Sequence, residues 1–363
     1  MQLSRSSRIE DVFRKDKAPN CARCHDFWQA GCVLSYSLGM LYLNTLLGVE
    51  QARVHNLDDV SAMLDLFQAH GHSRIDTARG YGQGSSEEYL GELKWQDRGI
   101  VLDTKLHPNA GLSTAAKTSH SPSNLRQFLL LSLAALKAEK IDMWYLHAPD
   151  RTTPFEDTLR VVDELHKEGL FDKFGVSNYM SWEVAQINEI CIKNGWVRPS
   201  VYQGVYNAIH RSVEAELFPC LRHYGMGFFA FNPLGGGYLT SRYHREVEND
   251  GVEKTSRFDP STVQGKRYRA RYWKDTMFDA LDIIRSAAGK YQLTEAECAL
   301  RWIMNHSQLK EENGDAVIIG ASSIGHLKEN LVDMEKGPLP EEVIHALDKA
   351  WEVCKGTAWN YYH

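Results

Sequence analysis

The chain has 363 residues, 43% of them hydrophobic, with 41 basic against 47 acidic side chains and a formal net charge of −6. That is enough apolar material for one large domain or two small ones. The balance is mildly acidic and the Lys and Arg residues are dispersed, which excludes a nucleic-acid binder built on a basic patch or stripe.

Seven cysteines (Cys21, Cys24, Cys32, Cys191, Cys220, Cys298 and Cys354) are odd in number and mostly scattered. Free thiols in a reducing, cytoplasmic compartment are expected rather than a disulfide framework. "CARCH" at 21–25 matches the haem-attachment pattern C-x-x-C-H. The pattern is short and haem attachment needs export, for which no signal peptide is expected, so we set it aside. A lone zinc site from Cys21, Cys24 and His25 is set aside as well, and no metal is expected.

"GCVLSYSLGMLYLNTLLGV" at 31–49 is an uncharged run of membrane-spanning length. It is preceded by Glu10, Asp11, Asp16 and Asp26, unlike a signal peptide. It also contains Ser35, Ser37, Asn44 and Thr45 with three glycines. We read it as a buried strand with a turn, and no membrane association is expected.

From residue 57 the pattern becomes regular. The amphipathic stretch 57–71 predicts a helix stopped by Gly71, followed by a short strand at 73–76. Residues 85–94 predict a helix with acidic residues in its first turn, where the helix dipole favours them. Next come a strand at 100–106, a helix at 121–140 and a strand at 141–147. A helix at 153–169 opens on Thr153, Pro154 and Glu156, which reads as a capping box, and closes at Gly169. The alternation continues with strand 174–178, helix 182–195, strand 200–207, helix 213–225 and strand 227–233. A long Gly- and Arg-rich connection runs to about 273. Helices follow at 275–291 and 294–306, then a strand at 316–322, a helix at 323–334 and one more helix in the tail from 340.

Seven strands alternating with helices imply parallel β-α-β units, and their continuous apolar runs suit strands buried on both faces. An eighth strand would complete a (β/α)₈ TIM barrel of the α/β class, and its only source is the atypical stretch at 31–49. The competing architecture is an open doubly wound sheet. It would normally carry G-x-G-x-x-G after its first strand, and that motif is absent from the sequence. We therefore expect residues 54–363 to form the barrel behind an atypical segment at 1–53.

In a TIM barrel, catalytic residues stand at the carboxyl ends of several strands. Here those ends carry Asp76 with Tyr81 in its loop, Lys105, His147, Ser177 with Asn178, and Gln203. Taken singly, Asp76 reads as a turn cap, Lys105 as a salt-bridge partner and His147 as a core histidine. Together at successive strand ends they suggest chemistry. A Tyr hydroxyl has a pKa of about 10 and is a poor acid near neutrality. A Lys cation nearby favours the phenolate, and Asp76 would hold that Lys. Tyr81 then serves as a general acid toward a carbonyl oxygen, with His147 hydrogen-bonding the substrate.

The constellation lies within "IDTA" and Tyr81, "DTK", "YLH", "ELHKEG", "GVSNY", "FNPL", "RYWK" and "GDAVI". In these stretches the chain resembles the aldo-keto reductase superfamily, whose tetrad is Asp, Tyr, Lys and His. It is most similar to the aflatoxin-aldehyde reductase subfamily, over roughly residues 54 to 363. The resemblance implies a nicotinamide cofactor, NADPH in preference to NADH, carried without a Rossmann fold. It assigns Ser177, Asn178 and Gln203 to the carboxamide and Phe231 to the ring. Asn232, Pro233, Leu234 and Gly236 would run along the pyrophosphate, with Arg242 as a phosphate cation. Gly320, Ser322, His326, Glu329 and Asn330 would bind the adenosine phosphate end, where a helix N-terminus suits phosphate. His326 stands where relatives usually have Gln or Arg.

For the substrate side, His147, Arg257 and His363 are candidates. His363 falls where the subfamily often ends in Arg. For Arg257, Arg269 and Arg271, a solvated loop charge and a ligand are both open readings. The family's first strand usually carries a G-T-M-like turn, of which Gly39-Met40 is the nearest echo here. A divergent first strand and a misassembled amino-terminal sequence both account for that. The expected activity is reduction of an aldehyde, a dialdehyde or semialdehyde by the subfamily's leaning, by a homodimer. The alternative is a non-catalytic NADP(H)-binding regulatory protein, similar to the potassium-channel β-subunits.

Overall fold

The computed structural model describes residues 35–39, 54–109, 117–245, 251–254 and 256–363. Cys21, Cys24, His25, Met40 and most of the uncharged run lie outside these residues. Among the described residues no helix is long and apolar enough to cross a membrane.

Eight parallel strands close into a barrel in chain order. They are β1 (Ser35–Gly39), β2 (Arg74–Asp76), β3 (Val101–Leu106), β4 (Ile141–Leu146), β5 (Phe171–Ser177), β6 (Pro199–Val205), β7 (Gly227–Phe231) and β8 (Ala316–Ile319). The first strand falls inside the atypical 31–49 stretch. It pairs on one side with β2, Gly39 opposite Asp76, and on the other with β8, Ser37 opposite Ile318.

Alternation along each strand divides the core in two. On β4, Met143 and Tyr145 face the barrel interior with Val201, Phe229, Ala316 and Ile318. Trp144 and Leu146 face outward into the larger core under the helices. Tyr145 explains a glycine: a Cβ added at Gly175 would lie 2.4 Å from its ring carbons. Lower in the barrel, Arg74 donates to Asp103 at 2.5 Å, and both are carried on strands as a polar plug.

Helix α1 (Leu57–Ala69) shows how the sequence makes the outer ring. Asn56 caps it by accepting from the Asp59 amide at 2.8 Å, and Val60, Met63, Leu64 and Phe67 line its buried face. That spacing is one helical stripe. Around the barrel follow α2 (Ser85–Glu92), α3 (Pro122–Ala135), α4 (Phe155–Lys167), α5 (Ser181–Asn194) and α6 (Leu217–Tyr224). The capping box expected at Thr153 does not form. Pro154 is the N-cap without a side-chain bond, and the Thr153 hydroxyl donates instead to Asp150 at 3.0 Å. Helices α5 and α6 end at Gly195 and Gly225, both left-handed.

Between β7 and β8 lie α7 (Val263–Tyr272), α8 (Asp275–Lys290) and α9 (Glu295–Asn305). The first was hidden in the expected loop. Its Thr262 cap accepts from the Gly265 amide at 2.9 Å. After β8 come α10 (Ile324–Met334) and α11 (Glu341–Cys354), with α11 packed on α8 and α10 on α9.

Candidate active site at the carboxyl mouth of the barrel

Strand β2 ends in Asp76, and the two oxygens of its carboxylate are both engaged. Oδ2 accepts from Lys105 Nζ at 2.6 Å, and Oδ1 accepts from Gln203 Nε2 at 2.8 Å. Lys105 is fully buried and donates a second bond to the Thr77 carbonyl at 2.6 Å. A buried ammonium needs such a set of partners to offset the loss of water.

Tyr81 opens a 3₁₀ turn over Tyr81–Gly84. Its ring centre lies 5.1 Å from Lys105 Nζ and 5.7 Å from the His147 imidazole, edge to face. The expectation that Lys105 lowers the Tyr81 pKa is not met. Burial and the Asp76 charge hold the hydroxyl well above its ordinary value, because the nearby cation is already matched by its own carboxylate. Tyr81 is thus kept protonated, the state in which it can donate. His147 is pushed the other way, well below the ordinary imidazole range, by burial and by His107 and Lys105. It is neutral throughout the physiological range.

Strand β5 ends at Ser177, followed by Asn178 in the left-handed region at φ 65°. Asn tolerates that conformation better than most residues. The Asn178 amide donates to the His147 carbonyl at 2.8 Å and to Ser177 Oγ at 3.0 Å. This ties the ends of β4 and β5 together.

These strand ends open on one cavity of about 1510 Å³. That exceeds the volume of an ordinary small-molecule pocket. Asp76, Tyr81, His147, Asn178 and Gln203 form its floor. Lys105 and Ser177 are fully buried and are absent from its lining. Phe231, Asn232, Pro233, Leu234 and Gly236 line one wall, and Arg242, Gly320, Ser322, His326, Glu329 and Asn330 line its far end. Arg257 and His363 line it too. The His363 amide donates to the Asn178 carbonyl at 3.2 Å, and Arg151 donates to the His363 carbonyl at 2.9 Å, so the last residue is anchored.

Several features suit a dinucleotide. Helix α10 starts at the far end, with Ser323 as its cap and Ser322 and His326 facing the cavity. Arg242 donates to His326 Nε2 at 3.1 Å. A guanidinium has no acceptor, so His326 Nδ1 carries the proton and donates to Ser322 Oγ at 2.9 Å. Asn232 and Gly235 to Gly237 all have positive φ, and a Cβ at Gly236 would meet the Tyr268 ring at 2.2 Å. On the floor, His147 Nδ1 is buried without a hydrogen-bond partner among the described residues.

Three contributors escaped the reading of the sequence. His107 lines the cavity with its ring 5.2 Å from that of His147. Tyr268 accepts from Arg257 at 2.5 Å and bonds Asn232. Both belong to α7 or to strand-end positions that carry no motif of their own. The third is the α7 face of Val263, Lys266, Arg267 and Ala270, which lines the cavity beside Arg271, already a candidate, at helical spacing but without an apolar stripe.

Comparison with known proteins agrees with this geometry. The aldo/keto reductase family model matches residues 46–352. The chain is 48% identical over 319 residues to the aldo-keto reductase pigE of Monascus ruber, covering 86% of this chain and 93% of that protein. It is 42% identical over 327 residues to aldo-keto reductase family 7 member A3 of Homo sapiens, covering 88% and 96%. It is 42% identical over 327 residues to aflatoxin B1 aldehyde reductase member 2 of Mus musculus, covering 88% and 87%. A barrel with this constellation at its carboxyl mouth and this similarity along its length places the chain in the aldo/keto reductase family, as an oxidoreductase acting on carbonyl compounds.

Proposed function

We propose that the chain reduces aldehydes to alcohols with NADPH, and that Tyr81 delivers the proton. The observation that carries this reading is the placement of Tyr81 and His147 on one cavity floor, backed by the internal Lys105–Asp76 pair.

NADPH, when bound, supplies the hydride. Phe231, Asn178 and Gln203 would hold its nicotinamide end, with Ser177 bracing Asn178 from behind. Asn232 to Gly236 would follow the pyrophosphate. Arg242, Ser322, His326 and the start of α10 would take the adenosine phosphate, with Gly320, Glu329 and Asn330 beside them. The catalytic residues act on the carbonyl oxygen. Neutral His147 orients it, and Tyr81 protonates it as charge develops there. The Lys105 side chain packs behind the Tyr81 ring, 5.1 Å from its centre, and helps to position it. Asp76 keeps Lys105 in place. The subfamily likeness also favours a cytoplasmic homodimer, and sedimentation of the purified protein tests the dimer.

The deciding assay follows nicotinamide absorbance with benzaldehyde and succinic semialdehyde, beside Tyr81→Phe. The variant should bind NADPH and lose kcat by about 10²–10⁴-fold. Wild-type protein that binds NADPH without turnover would instead support the non-catalytic, regulatory reading.

A further inference from the structure

Charge is distributed unevenly along the cavity. At the far end, Arg242 and Lys336 have carboxylates close by, while Lys328 has no ion pair among the described residues. Arg242 pairs with Glu253 at 3.4 Å, and Lys336 pairs with Glu297 and Asp333 at 3.0 and 2.8 Å. The mouth over Tyr81 is different. Helix α7 turns Lys266, Arg267 and Arg271 toward the cavity, and none of the three makes an ion pair or side-chain hydrogen bond among the described residues. Arg271 only overlies the Tyr268 ring, at 5.9 Å. The carboxylate on the floor, that of Asp76, is occupied by Lys105 and Gln203.

Two of these cations, Arg267 and Arg271, stand near the reacting groups. Arg267 and Arg271 act on the His363 imidazole, and Arg267 acts on His107, whose ring touches that of His147. Three cations on this face thus have no anion matched to them among the described residues. Lys266 and Arg271 are five residues apart, roughly 7.5 Å along the helix axis. Three cations spread along this face carry more positive charge than one carboxylate neutralises, and a molecule carrying two negative charges matches them better.

We infer that the preferred substrate is a doubly anionic aldehyde, with Lys266 and Arg267 on α7 receiving its second negative charge. This rests on the reductase reading above and specifies its substrate class. The second charge has two chemical sources, a phosphate ester or a second carboxylate. Arg257 is already engaged by Tyr268 and Asn232, which leaves the α7 face as the element that distinguishes a dianion from a monoanion.

The test is a charge series of aromatic aldehydes at low ionic strength. It uses benzaldehyde, para-carboxybenzaldehyde, a formyl isophthalate and para-formylphenyl phosphate with full-length protein and NADPH. Wild type should show kcat/KM rising with negative charge. Added salt should erode the advantage of the dianions first, as it does for charges that steer association. In Lys266→Gln/Arg267→Gln, kcat/KM for the dianions should fall on the order of tenfold more than for benzaldehyde, through KM. Preference for the isophthalate over the phosphate, or the reverse, identifies the source. A flat series with benzaldehyde still turned over overturns the inference and leaves the reductase intact. So does a variant that loses all four substrates equally, or one whose KM for NADPH rises instead. No turnover of any of the four aldehydes by wild type removes the reductase reading, and the inference falls with it.

Discussion

Lys105 and Asp76 form an ion pair inside the barrel, Nζ to Oδ2 at 2.6 Å, with the lysine side chain wholly shielded from solvent and the carboxylate nearly so. Removing one partner leaves the other charged and uncompensated, which costs about 3–5 kcal/mol. Asp76→Asn should therefore lower stability by that amount in denaturant unfolding, as well as abolishing turnover. Asp76→Asn/Lys105→Met should recover much of the stability and none of the activity. Recovery of activity in the double variant would contradict the role given to the pair.

The ring of Tyr145 fills the space above Gly175, where a methyl group would sit 2.4 Å from two ring carbons. Both residues are on strands of the closed barrel, so neither backbone can retreat. Gly175→Ala should destabilise the protein by about 1–3 kcal/mol through overpacking. Thermal unfolding measures it, and Gly175→Ala/Tyr145→Leu should recover part of the loss.

His120 is buried, its Nε2 lacks a partner among the described residues, and burial holds its pKa down to about 4. The unfolded chain takes up this proton near pH 6.5, and the folded one only near 4. The stability it supports is complete above 6.5 and declines as pH falls through that window. Between pH 7 and pH 5 the loss from this group alone is about 2 kcal/mol. His120→Asn should show a correspondingly weaker acid dependence when unfolding is followed at both pH values.

Arg242 reaches His326 and, through it, Ser322 at the start of α10. If this cluster receives the extra phosphate of NADPH, Arg242→Gln should raise KM for NADPH roughly tenfold while shifting KM for NADH little, as loss of a charge-assisted contact requires. Equal effects on both nucleotides would move the phosphate contact elsewhere.

Most of the barrel was legible because its strands are short apolar runs with polar residues at their ends. The strands expected at 100–106, 141–147 and 227–233 each end within two residues of their observed limits. Strand β7 stops early because Asn232 turns left-handed at φ 57°. Strand β5 starts at Phe171 rather than 174, since the exposed Asp172 and Lys173 look like a loop. Helix α7 escaped because it buries little, only Gly265 and Tyr272, and so shows no apolar stripe. The residues that the strand ends bring to the cavity were readable from position alone. The Tyr81 acidity was not, because it depends first on the burial of the hydroxyl and then on the nearby Asp76 charge, both three-dimensional facts.

The five residues of β1 are hydrogen-bonded on both sides, to β2 and to β8. They act as the clasp of a hoop. The residues around the cavity hang from seven other strands and their loops, and those keep their spacing only while the ring is fastened. Opening the clasp would bare two strand edges at once, each a template for adhesion to another chain. The least conventional stretch of this sequence is therefore the one on which the solubility of the whole ring depends.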